Sequence, residues 1–130
     1  MSEIEKLKAV TLFNNLSEAM LLEFAGYFKQ TAYGAGDIVF KEKSSGDTLF
    51  IIVEGEIIIE KSMDEAGTEF KALAILSGGD FFGEMAVLDG QARFAQARAA
   101  KDSAIPIVNR WFIIANACEG VVVGIRRAME

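Results

Sequence analysis

The chain has 130 residues, a formal net charge of −6, 52% hydrophobic residues, one cysteine and no histidine. That length makes one domain, able to bury about two-thirds of the surface its unfolded form exposes, and the apolar content excludes a disordered tail. The acidic balance argues against non-specific nucleic-acid binding, which needs clustered lysine and arginine. Without histidine, Ser-His-Asp and Cys-His catalysis are excluded.

The chain opens on Met1-Ser2-Glu3-Ile4-Glu5-Lys6, an acidic start without the apolar stretch of a secretory signal. Two helices are predicted next, over residues 4–10 and 17–28. Ser17 is placed to cap the second, with Glu18 in its first turn, where the helix dipole favours an anion. Leu21, Phe24, Ala25 and Phe28 fall at i, i+3, i+4 and i+7, one apolar stripe to pack against the rest of the domain.

From residue 29 the pattern changes to short apolar runs separated by glycine-rich turns. Strands are predicted over 29–33, 37–42, 48–53, 56–63, 69–76, 94–99 and 104–108. The turns between them carry Gly34-Ala35-Gly36, Ser44-Ser45-Gly46-Asp47, Glu54-Gly55, Asp64-Glu65-Ala66-Gly67 and Ser77-Gly78-Gly79. Strands at such regular spacing point to a sandwich or barrel. Most of these glycines, with Asp47 and Asp89, are read as turn formers. Gly34 and Gly36 precede a strand and have no lysine at a P-loop spacing, so they are not a nucleotide loop. Helix returns over 110–116 and from 121 onward, with Gly120 at the break between. Residues 105–125 are hydrophobic, yet Asn109, Arg110, Asn116 and Glu119 interrupt them, so no membrane insertion is expected. Cys118 has no partner for an internal disulfide, which fits a reducing cytoplasm.

The stretch between two of the strands carries the chemistry: Phe81-Phe82-Gly83-Glu84-Met85-Ala86-Val87-Leu88-Asp89-Gly90-Gln91-Ala92-Arg93-Phe94. It sets a glycine and an acid at the start of a helical turn expected at 84–88, with an arginine nine residues beyond the acid. Backbone N–H groups at a helix start bind an anion, and an arginine fork suits two phosphate oxygens. A carboxylate beside a phosphate site makes sense when the ligand also offers donors, as sugar hydroxyls do. Taken alone, Arg93 also fits a surface arginine and Glu84 a carboxylate at a helix start. The pair Phe81-Phe82 reads as core before base platform, with strand alternation burying one of the two.

This stretch resembles the phosphate-binding cassette of the cyclic-nucleotide-binding domain family, the family of protein kinase A regulatory subunits, bacterial catabolite activators and cyclic-nucleotide-gated channels. A second match lies upstream, in Gly36-Asp37-Ile38-Val39-Phe40, Gly46-Asp47-Thr48-Leu49-Phe50-Ile51-Ile52 and Val53-Glu54-Gly55, in the family's order. The resemblance implies a mainly β fold with flanking helices: an eight-stranded double-stranded β-helix (jelly-roll) barrel. A single domain of residues 1–130 would hold N-terminal helices over 1–28, the barrel over 29–108 with its cassette at 82–95, and C-terminal helices over 109–130. Cupin enzymes share the jelly roll but hold a metal largely through histidine, so metal chemistry is not expected.

The resemblance also implies the site. Glu84 would accept from the ribose 2′-hydroxyl, Arg93 would clamp the cyclic phosphate, and the amides of Met85 and Ala86 would complete the cradle. Gly83 would let the ribose approach. The family follows its arginine with two small residues; here these positions are Phe94 and Ala95, and Ala92 stands where many members have proline. Phe94 either fills part of the pocket or, by strand alternation, turns to core or solvent while Arg93 faces the ligand. It supplies no hydroxyl of the kind that favours guanine in relatives, so cyclic AMP is expected before cyclic GMP.

The expected function is a cytoplasmic, non-catalytic sensor with no cofactor and no nucleic-acid partner. It would signal through its C-terminal helices to a protein partner or a homodimer. The hydrophobic helix at 111–118 either changes exposure with ligand or packs on the barrel. The alternative is a degenerate domain that binds no cyclic nucleotide and serves as a protein-interaction module or holds another anionic metabolite. Relatives continue into a longer helix or an output domain; here no recognition helix for DNA is expected.

Overall fold

The structure, a computed structural model, describes residues 3–10, 13–14, 16–46, 48–83 and 92–109. Two helices, α1 (Glu3–Lys8) and α2 (Glu18–Ala25), precede nine short strands among these residues: β1 (Ala32–Tyr33), β2 (Ile38–Phe40), β3 (Thr48–Ile51), β4 (Glu56–Ser62), β5 (Phe70–Ser77), β6 (Phe81–Phe82), β7 (Gln96–Ala99), β8 (Ser103–Ala104) and β9 (Ile107–Asn109). The expectations for a helical turn at 84–88, helices over 110–116 and from 121, and a hydrophobic helix at 111–118 that either changes exposure or packs on the barrel lie outside the described residues, as do Asp47 and Asp89.

The fold is the expected mainly β jelly roll, with α1 and α2 before it among the described residues. A four-stranded sheet of order β2-β7-β4-β5 faces a three-stranded sheet of order β6-β3-β9, with β1 and β8 paired beside them. All pairings are antiparallel and the barrel is not closed. Strand β3 explains how the layers share one core. Leu49 and Ile51 point to the helices and join Leu7, Val10, Phe13, Leu21 and Phe28. The alternate residues Phe50 and Ile52 point into the barrel and join Ile57, Phe82, Ala97, Ala99 and Ile105. Side chains alternate across a strand, so one run buried on both faces serves both cores. Leu21, Ala25 and Phe28 of the predicted stripe therefore do pack on the barrel, and the cap holds too: Met20 N–H donates to Ser17 Oγ at 3.2 Å.

The strand reading needs three corrections. The run 104–108 is two strands, because the only proline, Pro106, stands in its middle. Proline donates no N–H and holds the preceding residue extended. Across Ile105-Pro106 the chain changes partners, with Ala104 opposite Ala32 and Ile107 opposite Phe50. Phe81-Phe82 is a strand of its own, with Phe82 buried in the barrel and Phe81 half-buried against the helix-side core. The strand expected at 94–99 starts at Gln96, so residues 92–95 approach it as an irregular segment. Among the turn glycines, Gly36, Gly55, Gly67 and Gly79 take positive φ, as turn formers do, and so does Gly83 after β6. No helix among the described residues is long and apolar enough to cross a membrane.

On β4, Ile59 turns inward and Glu60 outward, yet Glu60 is buried beneath Arg98 and Gln96 of β7. Arg98 grips it through Nε–Oε1 at 3.0 Å and Nη2–Oε2 at 3.3 Å, and Gln96 Nε2 donates to Oε1 at 2.8 Å. The hydrogen bond from Arg98 is the main cause that holds the Glu60 carboxyl below its usual range, against the opposing effect of burial and with help from Gln96. A folded pKa below the unfolded one stabilises the fold above the unfolded carboxylate's titration, and that contribution is lost as pH falls through the folded value. Thermal melts from neutral to about pH 3 are thus expected to fall more steeply for the wild type than for Glu60→Gln, which cannot titrate. Parallel curves would sink this assignment.

Candidate functional site

Between the two sheets lies a cavity of about 430 Å³. Its lining comes from Phe40 of β2, Ile59 of β4, Leu73, Ala74 and Leu76 of β5, Phe81 and Phe82 of β6, and the segment Ala92-Arg93-Phe94-Ala95, with Gly83 beside them. The walls are aliphatic and aromatic, and Arg93 is the charged group among them. A mostly apolar cavity with one placed polar group suits a small amphiphilic ligand.

Arg93 is built into this place from several sides. Its backbone is fastened to the turn after β2: Arg93 N–H donates to Ser44 O at 2.8 Å, and Lys43 N–H donates to Arg93 O at 2.6 Å. Lys43 takes a left-handed φ of 67° in that turn. The side chain turns inward and is 7% exposed. Nη1 donates to Gly83 O at 3.0 Å and Nη2 to Thr48 O at 3.3 Å. The guanidinium carbon lies 4.5 Å from the Phe40 ring centroid and 5.6 Å from that of Phe50, within the range of cation–π attraction. Phe50 and Phe82 stack at 4.8 Å and Phe40 tilts onto both, so the two rings under the guanidinium are backed by a third.

Two glycines make room for it. A Cβ on Gly46 would stand 2.9 Å from Arg93 Nη2, and one on Gly83 2.8 Å from Nη1 and 2.8 Å from Thr48 O. Gly83 also has φ +82°, which a residue with a Cβ adopts at a cost.

Of the residues read as the site, Gly83, Arg93, Phe94 and Ala95 are described, and the first two are brought into direct contact. Ala95 is buried against the cavity. Phe94 is 57% exposed and also lines the cavity, so in this irregular segment Arg93 turns inward and Phe94 stands at the rim. Glu84, Met85 and Ala86 lie outside the described residues. Sequence reasoning missed the bed of Phe40, Phe50 and Phe82 and the close approach at Gly46. The first was available as inward alternation on three strands; the second had no signal, because Gly46 reads as a turn. Among the described residues no group of three or more Asp, Glu, Cys or His stands together to hold a metal ion.

Comparison with known proteins adds to this geometry. Residues 30–111 match the family model described as the cyclic nucleotide-binding domain. The chain is 31% identical over 94 residues, 72% of its length, to cGMP-dependent protein kinase isozyme 1 of Drosophila melanogaster, of which it covers 12%. It is 29% identical over 97 residues, 75% of its length, to the cyclic AMP receptor protein of Thermus thermophilus, of which it covers 44%. In three dimensions it superposes on the regulatory domain of Toxoplasma gondii PKA, solved with cAMP, with a TM-score of 0.84 at 19% identity. That match covers 97% of this chain and 48% of the other, and at such identity it speaks for the fold. The chain thus spans less than half the length of each of these relatives.

Proposed function

The chain belongs to the cyclic nucleotide-binding domain family, and from that premise we propose that residues 1–130 form one sensor domain that binds cyclic AMP in preference to cyclic GMP, without catalysis, in the cytoplasm. The observation that carries the reading is the buried Arg93 fork at the inner end of an apolar cavity, between the backbones of Gly46 and Gly83. In this reading Arg93 takes the cyclic phosphate, the amides of Met85 and Ala86 complete its cradle, and Glu84 accepts from the ribose 2′-hydroxyl. Gly83 and Ala95 leave room for the sugar phosphate. The preference for cyclic AMP rests on Phe94, which has no hydroxyl to offer a guanine edge. The relatives themselves are of both kinds, a cGMP-dependent kinase and a cyclic AMP receptor.

The output we propose is a population shift. Ligand draws the cassette inward, the C-terminal helices follow, and a protein partner or a second copy reads the change. The ligand moves that equilibrium only by its preference for one state. Calorimetric titration with cyclic AMP and cyclic GMP tests the reading. Saturable binding with cyclic AMP the tighter ligand is expected, and no heat at millimolar concentration of either would end it.

One observation favours a second reading. The Arg93 fork already donates to Gly83 O and Thr48 O, which is a structural use of the same group. In a degenerate domain that use would suffice, and the module would serve protein interaction or hold another anionic metabolite.

A further inference from the structure

Phe94 is the most exposed phenylalanine among those whose burial is described, at 57%, whereas Phe13, Phe28, Phe50 and Phe82 are all at or below 9%. Its place is nonetheless held from both sides. The preceding residue is tied to Lys43 and Ser44 through its backbone, and the following Ala95 and Gln96 are buried. Lys61 Nζ donates to Phe94 O at 2.6 Å and sits 5.9 Å from the centre of its ring. Lys61 is in turn 3.7 Å from Glu42. An apolar ring is therefore fastened at the mouth of a cavity whose inner end carries a cationic fork. Such a cavity offers one end to an anion and the other to a flat apolar group.

We infer that Phe94 is the surface on which the ligand's base stacks, so that the cavity selects a phosphate that carries an aromatic base over a base-free sugar phosphate. The inference rests on the cyclic-nucleotide reading of the cavity and adds a residue whose role there is specificity. A stacking ring accepts any π-face, so it discriminates by the presence of a base and leaves the choice between bases to polar contacts.

The test is a calorimetric titration of the full 130-residue chain with two probes, cyclic AMP and the base-free ribose 3′,5′-cyclic phosphate. It is run on the wild type, Phe94→Ala and Phe94→Trp, with thermal melts to confirm that each variant folds. Phe94→Ala is expected to bind cyclic AMP about tenfold more weakly, the loss typical of one stacked base, and the base-free probe unchanged. Phe94→Trp is expected to keep or raise the affinity for cyclic AMP. Wild-type binding that Phe94→Ala leaves unchanged or tightens would overturn the stacking role alone. An equal loss for both probes would overturn it too, since the ring would then only hold the phosphate end in place. Failure of the wild type and of Phe94→Ala to bind either probe would instead remove the cyclic-nucleotide reading, and the stacking role with it.

Discussion

Truncation of Arg93 to alanine is expected to weaken cyclic-nucleotide binding by about a hundredfold or more. A buried, charge-assisted pair loses on the order of 2–5 kcal/mol when one partner is cut away, and each 1.4 kcal/mol is tenfold in affinity. The same change is expected to lower stability without any ligand, by about 2–4 kcal/mol. Gly83 O and Thr48 O would lose this part-buried donor, at about 1 kcal/mol for each bond, with the lost ring contacts adding to it. The bed of Phe40 and Phe50 would lose the group stacked on it. Calorimetry and thermal melting read the two effects separately. Arg93→Lys divides them further: lysine keeps the charge over the rings but replaces the planar fork with a point charge. Part of the stability is expected to return and little of the affinity. An Arg93→Ala protein that binds like the wild type would remove the phosphate role and leave a structural one.

The carbonyl contacts of Arg93 bear on how binding, as proposed, would become a signal. The two carbonyls it holds belong to different segments, Thr48 at the start of β3 and Gly83 just after β6. In the proposed reading, a phosphate that drew the fork toward itself would compete with those bonds. Such an exchange would loosen Gly83 from Arg93 at the residue that leads into the proposed cassette. That is the kind of differential contact a population shift requires.

Much of this was legible in the sequence because it is local. Alternating runs and glycine turns marked most of the strands, Ser17 marked a cap that the structure contains, and the spacing from Gly83 to Arg93 marked two residues that do meet. What was not legible depends on partners far along the chain. The Ile105-Pro106 corner splits one apolar run between β1 and β3, a choice visible only once both neighbours are in place. Lys61 reaches Phe94 across 33 positions, on a strand whose register with β5 shifts at Ile59/Glu60. The ring bed under Arg93 comes from three strands brought together by sheets facing each other. Periodicity shows which face of each strand is apolar, and it does not show which faces meet around a charge.

Gly83→Ala is expected to be the most damaging of the small changes in the cassette, for two separable reasons. A residue with a Cβ at φ +82° is strained by about 1–2 kcal/mol. The added Cβ would also stand 2.8 Å from Thr48 O, a backbone atom of β3 that cannot swing aside, and 3.0 Å from the Phe50 ring. Gly36→Ala isolates the first effect, since Gly36 has φ +93° and open space around its missing Cβ. The expected result is a loss of about 1 kcal/mol for Gly36→Ala and about 3 kcal/mol for Gly83→Ala, read by denaturant unfolding. Because the clash at Gly83 also meets Arg93 Nη1 at 2.8 Å, the guanidinium would be pushed off its carbonyls. Cyclic-nucleotide affinity should therefore fall with Gly83→Ala and hold with Gly36→Ala. Equal stability losses in the two variants would mean that the close packing of Gly83, Thr48 and Arg93 does not hold the site together.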